Sequence, residues 1–216
     1  MPGPLAVIDY GVNNLGSVYN AFARLGRDVT LVERPAELEG AGGVILPGVG
    51  SFDRAKEALE SGGFFEALEG VLRDGIPLLG ICLGMQLLCS GSEESRRGAP
   101  GIGWIRGDLR RFRGDMKVPH MGWNVVDPAR ESPLFRGIPR GSHFYFVHSY
   151  FLDPTGDPDS VVATAEYAGV PLAAVVARGS VIGTQFHPEK SGPVGLAFLD
   201  NFARAVESGC IREGWL

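Results

Sequence analysis

Three side chains of this sequence have the types and settings needed for nucleophilic chemistry: Cys82, His187 and Glu189. Cys82 lies in Pro77-Leu78-Leu79-Gly80-Ile81-Cys82-Leu83-Gly84-Met85-Gln86, where an apolar run passes into a glycine-flanked turn and on into a second apolar segment. The pattern is that of the G-x-S-x-G elbow with sulfur in place of oxygen. A nucleophile on so sharp a strand-to-helix turn sits in strained backbone, and side chains two residues to either side would collide with the adjoining strand and helix, so glycines stand there. The turn carries Sγ beyond the carboxyl end of a sheet, where α/β proteins bind ligands. It also sets the sulfur at a helix N-terminus, whose partial positive charge favours thiolate and whose N–H groups can hold an oxyanion.

A thiolate nucleophile needs a base, and the base needs a group that orients it. Of the four histidines, His187 ends an apolar strand in Gln185-Phe186-His187-Pro188-Glu189-Lys190. Pro188 stops the strand, and Glu189 is placed to accept a hydrogen bond from the His187 ring and fix its tautomer. His120, His143 and His148 have no such acid beside them; His120 and His148 read as satisfied structural histidines, and His143, which opens an aromatic strand, is the least specific. Cys89 and Cys210 fit no catalytic pattern; Cys89, on the apolar side of the helix that follows the elbow, reads as a small buried hydrophobe. Pro47-Gly48-Val49-Gly50 follows another short apolar run, and its glycines permit an N–H to turn toward a developing oxyanion. Alone, P-G-x-G marks only a turn.

The elements that must position these residues follow from periodicity. Leu5–Asp9, Asp28–Val32, Gly43–Leu46 and Ile76–Gly80 read as buried parallel strands. Helices are expected between them: one with Ser17 as N-cap and Val18, Phe22 and Leu25 on one face, then Ser51–Glu60 and Phe64–Arg73. From about Gly101 the rhythm changes. Phe144–Leu152, Val161–Tyr167, Leu172–Arg178 and Val181–Phe186 are strand-like with little room for helices between them, and Val194–Val206 closes the chain as a helix stopped by Gly209. The fold class expected is α/β: a single three-layer domain over residues 1–216, with a mostly parallel central sheet, helices on both faces and antiparallel additions in the C-terminal half.

Composition bounds the function. With 216 residues, 44% hydrophobic and 21% charged, the chain reads as an ordinary globular protein, and a formal net charge of −5 argues against a general nucleic-acid binder. Arg106–Arg113 is the one dense basic stretch and reads as a strand with a solvated charged face. No targeting signal is visible, and Ile76–Cys89, interrupted by Pro77, Gly80 and Gly84, is too short and broken to span a bilayer. Three cysteines with no C-x-x-C pair predict neither a disulfide framework nor a zinc site, hence a cytoplasmic protein without a metal.

Taken together, the elbow, the Pro47–Gly50 loop and His187-Pro188-Glu189 resemble, in order and over nearly the whole chain, the class I (triad) glutamine amidotransferase domain. Finer segments are similar to the glutaminase subunits of imidazole glycerol phosphate synthases: Asp9-Tyr10-Gly11-Val12-Asn13-Asn14, Pro47-Gly48-Val49-Gly50-Ser51-Phe52, Pro119-His120-Met121-Gly122-Trp123-Asn124 and Phe144-Tyr145-Phe146-Val147-His148-Ser149-Tyr150. Many other relatives carry Gly-Gly-Pro-Gly in the loop and His-Pro-Glu-Ser after the histidine, where this chain has Gly48-Val49-Gly50 and Lys190. The resemblance implies hydrolysis of L-glutamine to glutamate and ammonia by a Cys82-His187-Glu189 triad without a cofactor. It implies an oxyanion held by N–H groups of Leu83 and of Val49 or Gly50, and glutamine recognised by Gln86, Glu94, Ser149 and Tyr150, the last two largely through backbone. It further implies a heterodimer with a (β/α)₈-barrel cyclase that receives ammonia through a channel, with Asn13, Asn14 and Trp123 at the interface. The valine in the loop implies an oxyanion hole not formed until that partner is engaged. For Trp123 a core position is the competing reading, and for Glu94 a solvated acid in a polar run. The rival functions are glutaminase partner of another synthase and stand-alone cysteine hydrolase.

Overall fold

The computed structural model describes residues 3–11 and 15–213. In chain order its regular elements are β1 (Leu5–Ile8), α1 (Leu15–Arg24), β2 (Val29–Val32), β3 (Gly43–Gly48), α2 (Phe52–Ser61), α3 (Phe64–Arg73), β4 (Leu78–Cys82), α4 (Leu83–Leu88), β5 (Gly91–Ser92), β6 (Asp108–Arg111), β7 (His120–Val125), β8 (Asp127–Pro128), β9 (His143–His148), β10 (Tyr150–Leu152), β11 (Val161–Tyr167), β12 (Val170–Arg178), β13 (Val181–Thr184) and α5 (Gly192–Glu207), with short 3₁₀ turns between some of them.

Eight strands form the main sheet in the order β2-β1-β3-β4-β13-β12-β11-β8. From β2 to β13 every neighbouring pair is parallel, and β12, β11 and β8 extend the sheet antiparallel. This is the expected α/β sheet with antiparallel additions. Strand alternation divides the core into two layers. Leu5, Val7, Ile45 and Ile182 face α1 and α5, meeting Val18, Phe22, Phe198 and Phe202. Ala6, Ile8, Val44, Leu46 and Leu78 face α2, α3 and α4, meeting Phe52, Leu59, Leu68, Met85 and Leu88. A side-chain period of two with apolar residues at both phases is what a strand covered on both faces requires.

The local reading fails in three places. Ser17 lies inside α1 and not at its start. Ser51 does precede α2 in extended backbone, but its side chain makes no capping bond. Phe144–Leu152 is two strands, not one: β9 pairs with β7, whereas β10 pairs with β6, and the chain changes sheet at Ser149. Continuous apolar and aromatic character conceals that corner, because both halves are buried against different neighbours. The basic stretch does form a strand, β6, with Leu109 buried and Asp108, Arg110 and Arg111 exposed.

Candidate active site

The parallel register places three strand ends side by side. Gly48 at the end of β3 pairs with Cys82 at the end of β4, and Thr184 at the end of β13 pairs with Ile81. The Pro47–Gly50 loop, Cys82 and the Gln185–Lys190 segment therefore leave the same carboxyl edge of the sheet together. Residues about a hundred positions apart meet because β13 returns next to β4.

Cys82 adopts φ +53°, ψ −107°, a left-side backbone conformation that a side chain adopts only under strain. Three glycines make the tight elbow possible. A Cβ on Gly84 would lie 1.8 Å from the Leu46 carbonyl oxygen, one on Gly48 2.6 Å from the Gly84 nitrogen, and one on Gly80 2.7 Å from Leu88 Cδ1. Helix α4 thus sits directly on β3 and β4, with no room for a methyl. Gly84→Ala is expected to destabilise the chain by about 3 kcal/mol or more, because the obstructing atom is backbone and cannot rotate away. A thermal or urea melt measures this, and a midpoint equal to that of the parent chain would refute the packing argument.

His187 Nδ1 lies 2.7 Å from Glu189 Oε1, and both side chains are almost completely buried. Burial alone would drive the His187 proton off. Negative charge and hydrogen bonding at Cys82 and at Glu189 together outweigh it, so that the imidazolium is held up to about 10. The segment is pinned from behind. Ser191 Oγ donates to the His187 carbonyl at 2.6 Å and accepts from Tyr145 N at 3.0 Å, while His187 N donates to the Tyr145 carbonyl at 2.8 Å. These bonds attach the His187 turn to β9.

A cavity of about 330 Å³ opens over the sulfur, lined among others by Val49, Gly50, Leu83, Gln86, Glu94, Ser149, Tyr150 and Lys190. Gln86 Nε2 donates to the Tyr150 carbonyl at 3.1 Å and to Gln185 Oε1 at 3.2 Å, leaving its own carbonyl oxygen as the free acceptor. Glu94 is not the solvated acid of the competing reading. It is half-buried, accepts from Phe52 N at 3.2 Å, and is raised above the usual carboxylate range, chiefly by burial. Gly50 stands at φ +101°, and Val49 is exposed.

Trp123 is 55% exposed, which removes its core reading, and lies with exposed Met121 and Val125 on the outer face of β7. Across the ladder Trp123 faces Tyr145 with ring centroids 5.9 Å apart. The same face reaches the cavity at Val147, which pairs with Met121 and whose carbonyl is 3.9 Å from Cys82 Sγ. Asn13 and Asn14 lie outside the described residues.

Several residues of the site have no catalytic or binding role assigned from the sequence. Gln185 Nε2 is 3.8 Å from Cys82 Sγ, and Tyr10 Oη donates to the Pro47 carbonyl at 3.0 Å, bracing the end of β3. Burial raises the Tyr10 phenol, which keeps it a neutral donor. His148, lowered to about 3, and His120, lowered to about 4, both chiefly by burial, form a neutral pair with ring nitrogens 3.0 Å apart. One available signal was polarity in an apolar setting: Thr184 and Gln185 prolong an otherwise apolar strand and are fully buried. Among the described residues no group of three or more His, Cys, Asp or Glu could hold a metal ion, and no helix is long and apolar enough to cross a membrane.

Comparison with known proteins is in keeping with this geometry. Two relatives, each named imidazole glycerol phosphate synthase subunit HisH, are 49% identical over 94% of this chain and 95% of their own (Moorella thermoacetica) and 50% identical over 92% and 95% (Geobacillus kaustophilus). Among solved structures, a chain of PurLQS from Thermotoga maritima superposes with a TM-score of 0.71 at 17% identity, covering 95% of this chain and 100% of that one, a likeness of fold. The profile of the class I glutamine amidotransferases matches residues 6–206, and with relatives at this level of identity the chain belongs to that family.

Proposed function

We propose that this chain, as one amidotransferase domain, is the glutaminase subunit of an imidazole glycerol phosphate synthase, acting in the cytoplasm on L-glutamine and delivering ammonia to a (β/α)₈-barrel cyclase for histidine biosynthesis. The observation that carries the chemistry is Cys82 on its strained elbow, sharing a buried cavity edge with the His187–Glu189 pair. The choice among family members rests on relatives that bear this name at about half identity along nearly their whole length.

In this reading His187 takes the thiol proton of Cys82. Sγ attacks the side-chain amide carbon of glutamine, and the carbonyl electrons move onto oxygen. Leu83 N–H and the Val49 or Gly50 N–H stabilise that oxyanion. As the tetrahedral species collapses, the C–N bond breaks and His187 gives its proton to the departing ammonia. Water, deprotonated by the now neutral His187, then cleaves the thioester to glutamate and restores the thiolate. Gln86, Glu94, Ser149 and Tyr150 hold the amino-acid end. For Gln86 the free carbonyl oxygen suits an ammonium donor, whereas the Tyr150 carbonyl already accepts from Gln86 and His148.

Free ammonia is largely protonated near neutral pH and is then not nucleophilic, so release into water would lose the product. The exposed Met121, Trp123 and Val125 face beside the cavity suits a partner that caps the site. Mixing the purified chain with a barrel cyclase should raise glutamine hydrolysis by orders of magnitude, and hydrolysis indifferent to the cyclase would overturn the assignment. Trp123→Ala should weaken the association by about 10–100-fold, in the range of an aromatic anchor, and leave the chain's melting temperature unchanged. Unaltered affinity in a titration calorimeter would remove Trp123 from the interface.

A further inference from the structure

A second cavity, of about 480 Å³, shares no residue with the glutamine cavity. It is formed by the segment between β8 and β9, whose Pro133–Phe135 turn packs on α5. Three arginines line it: Arg130, Arg136 and Arg140. Arg140 has a long contact to Asp127 at 3.4 Å, with both side chains exposed. Arg130 is different. Its Nε and Nη2 are buried and have no hydrogen-bond partner. Glu131, the one acid lining the cavity, is exposed and makes no ion pair with it.

Arg130 as a whole is half-buried, but a guanidinium cannot discharge by losing its proton, so its two shielded nitrogens need acceptors that the fold does not supply. Such a group calls for an explanation, and an absent anion is the direct one. Guanidinium forks match the oxygens of a phosphate group in geometry and charge. The cavity lies within the range of about 300–1,000 Å³ found for small-molecule sites. Its remaining walls include the rings of Phe135 and Pro133 and the side chain of Ile138, an apolar surface that inorganic phosphate alone would leave uncovered.

We propose that this cavity is a binding site for a phosphate monoester, with the phosphate on Arg130, Arg136 and Arg140 and the organic part against Phe135 and Ile138. Arg130 is the residue the ligand completes. The ligand supplies acceptors to its two shielded nitrogens, Nε and Nη2.

The test uses the full chain and two probes, inorganic phosphate and ribose 5-phosphate, against sodium chloride at matched ionic strength. Ribose 5-phosphate at ten times its dissociation constant should raise the melting temperature by about 3–6 °C. It should bind at least ten times more tightly than inorganic phosphate. Arg130→Met, which keeps the apolar stem and removes the buried charge, should melt at or above the parent temperature without ligand and show no shift with it. Arg136→Gln should fold and bind at least ten times more weakly, which preserves the test if Arg130→Met does not fold. No saturable shift in the parent chain, or an equal shift in Arg130→Met or Arg136→Gln, would overturn the site. Equal affinity for the two probes would overturn the monoester and leave a free-phosphate site.

Discussion

In the proposed complex with a cyclase, Cys82→Ser is expected to abolish glutamine-dependent synthesis, by on the order of 10⁴-fold or more, as removal of a triad nucleophile does elsewhere. Serine preserves the shape of the elbow, so the variant should fold. It removes the thiol whose proton His187 takes. A hydroxyl has no thiolate to offer near neutral pH, and the imidazolium, which owes much of its elevation to the charge at Cys82, is no longer held up by it. Synthesis from added ammonia should persist, since on the proposed function the cyclase takes up ammonia without the thioester step. A paired assay with glutamine and with ammonium salt separates the two. Loss of both activities together would refute the division of labour, and retention of both would refute Cys82 as the nucleophile.

The elbow was legible because its rules are local. Glycines at 80 and 84 around a cysteine, entered from an apolar run, describe a turn that β4 and α4 then make, and the structure gives the physical reason in the Leu46 backbone against Gly84 and the Leu88 side chain against Gly80. His187 and Glu189 were legible for the same reason, being two residues apart beside a proline. What escaped was whatever depends on which strands become neighbours. Gln185 reads as one polar residue in an apolar run until β13 is placed beside β4. Only then does it stand between Cys82 and Gln86. Ser191 carries no local pattern, yet it joins His187 to Tyr145, which is itself the cross-strand partner of Trp123. The corner at Ser149 was invisible because hydrophobicity reports burial and not which sheet provides it. Trp123 shows the converse: an aromatic residue in a strand of alternating burial has two faces open to it, and only the β7–β9 pairing decides which is covered.

Glu189→Gln tests the acid behind the histidine and should lower kcat/KM for glutamine by about 10²–10⁴-fold, the range seen when a triad acid is made neutral. The amide cannot replace the carboxylate even though it is nearly isosteric. Glu189 Oε2 is buried without a partner, so a glutamine that turns its oxygen toward His187 Nδ1 must leave its NH₂ group in that unpartnered place, at the cost of burying unsatisfied donors. Turned the other way, it presents N–H to N–H and forces the imidazole into the wrong tautomer. Either way the imidazolium loses a counter-charge. Because His187 is raised from its ordinary value of 6.5 to about 10, its proton strengthens the folded state fully below about pH 6.5, and that contribution disappears as pH rises through about 10. The variant should therefore fall furthest below the parent chain in melting temperature near pH 6 and approach it by pH 10. The alkaline limb of its pH–rate profile should move to lower pH, since less holds the proton on His187. An activity loss with the limb unmoved would make Glu189 a packing residue only, and full activity would remove it from the relay altogether.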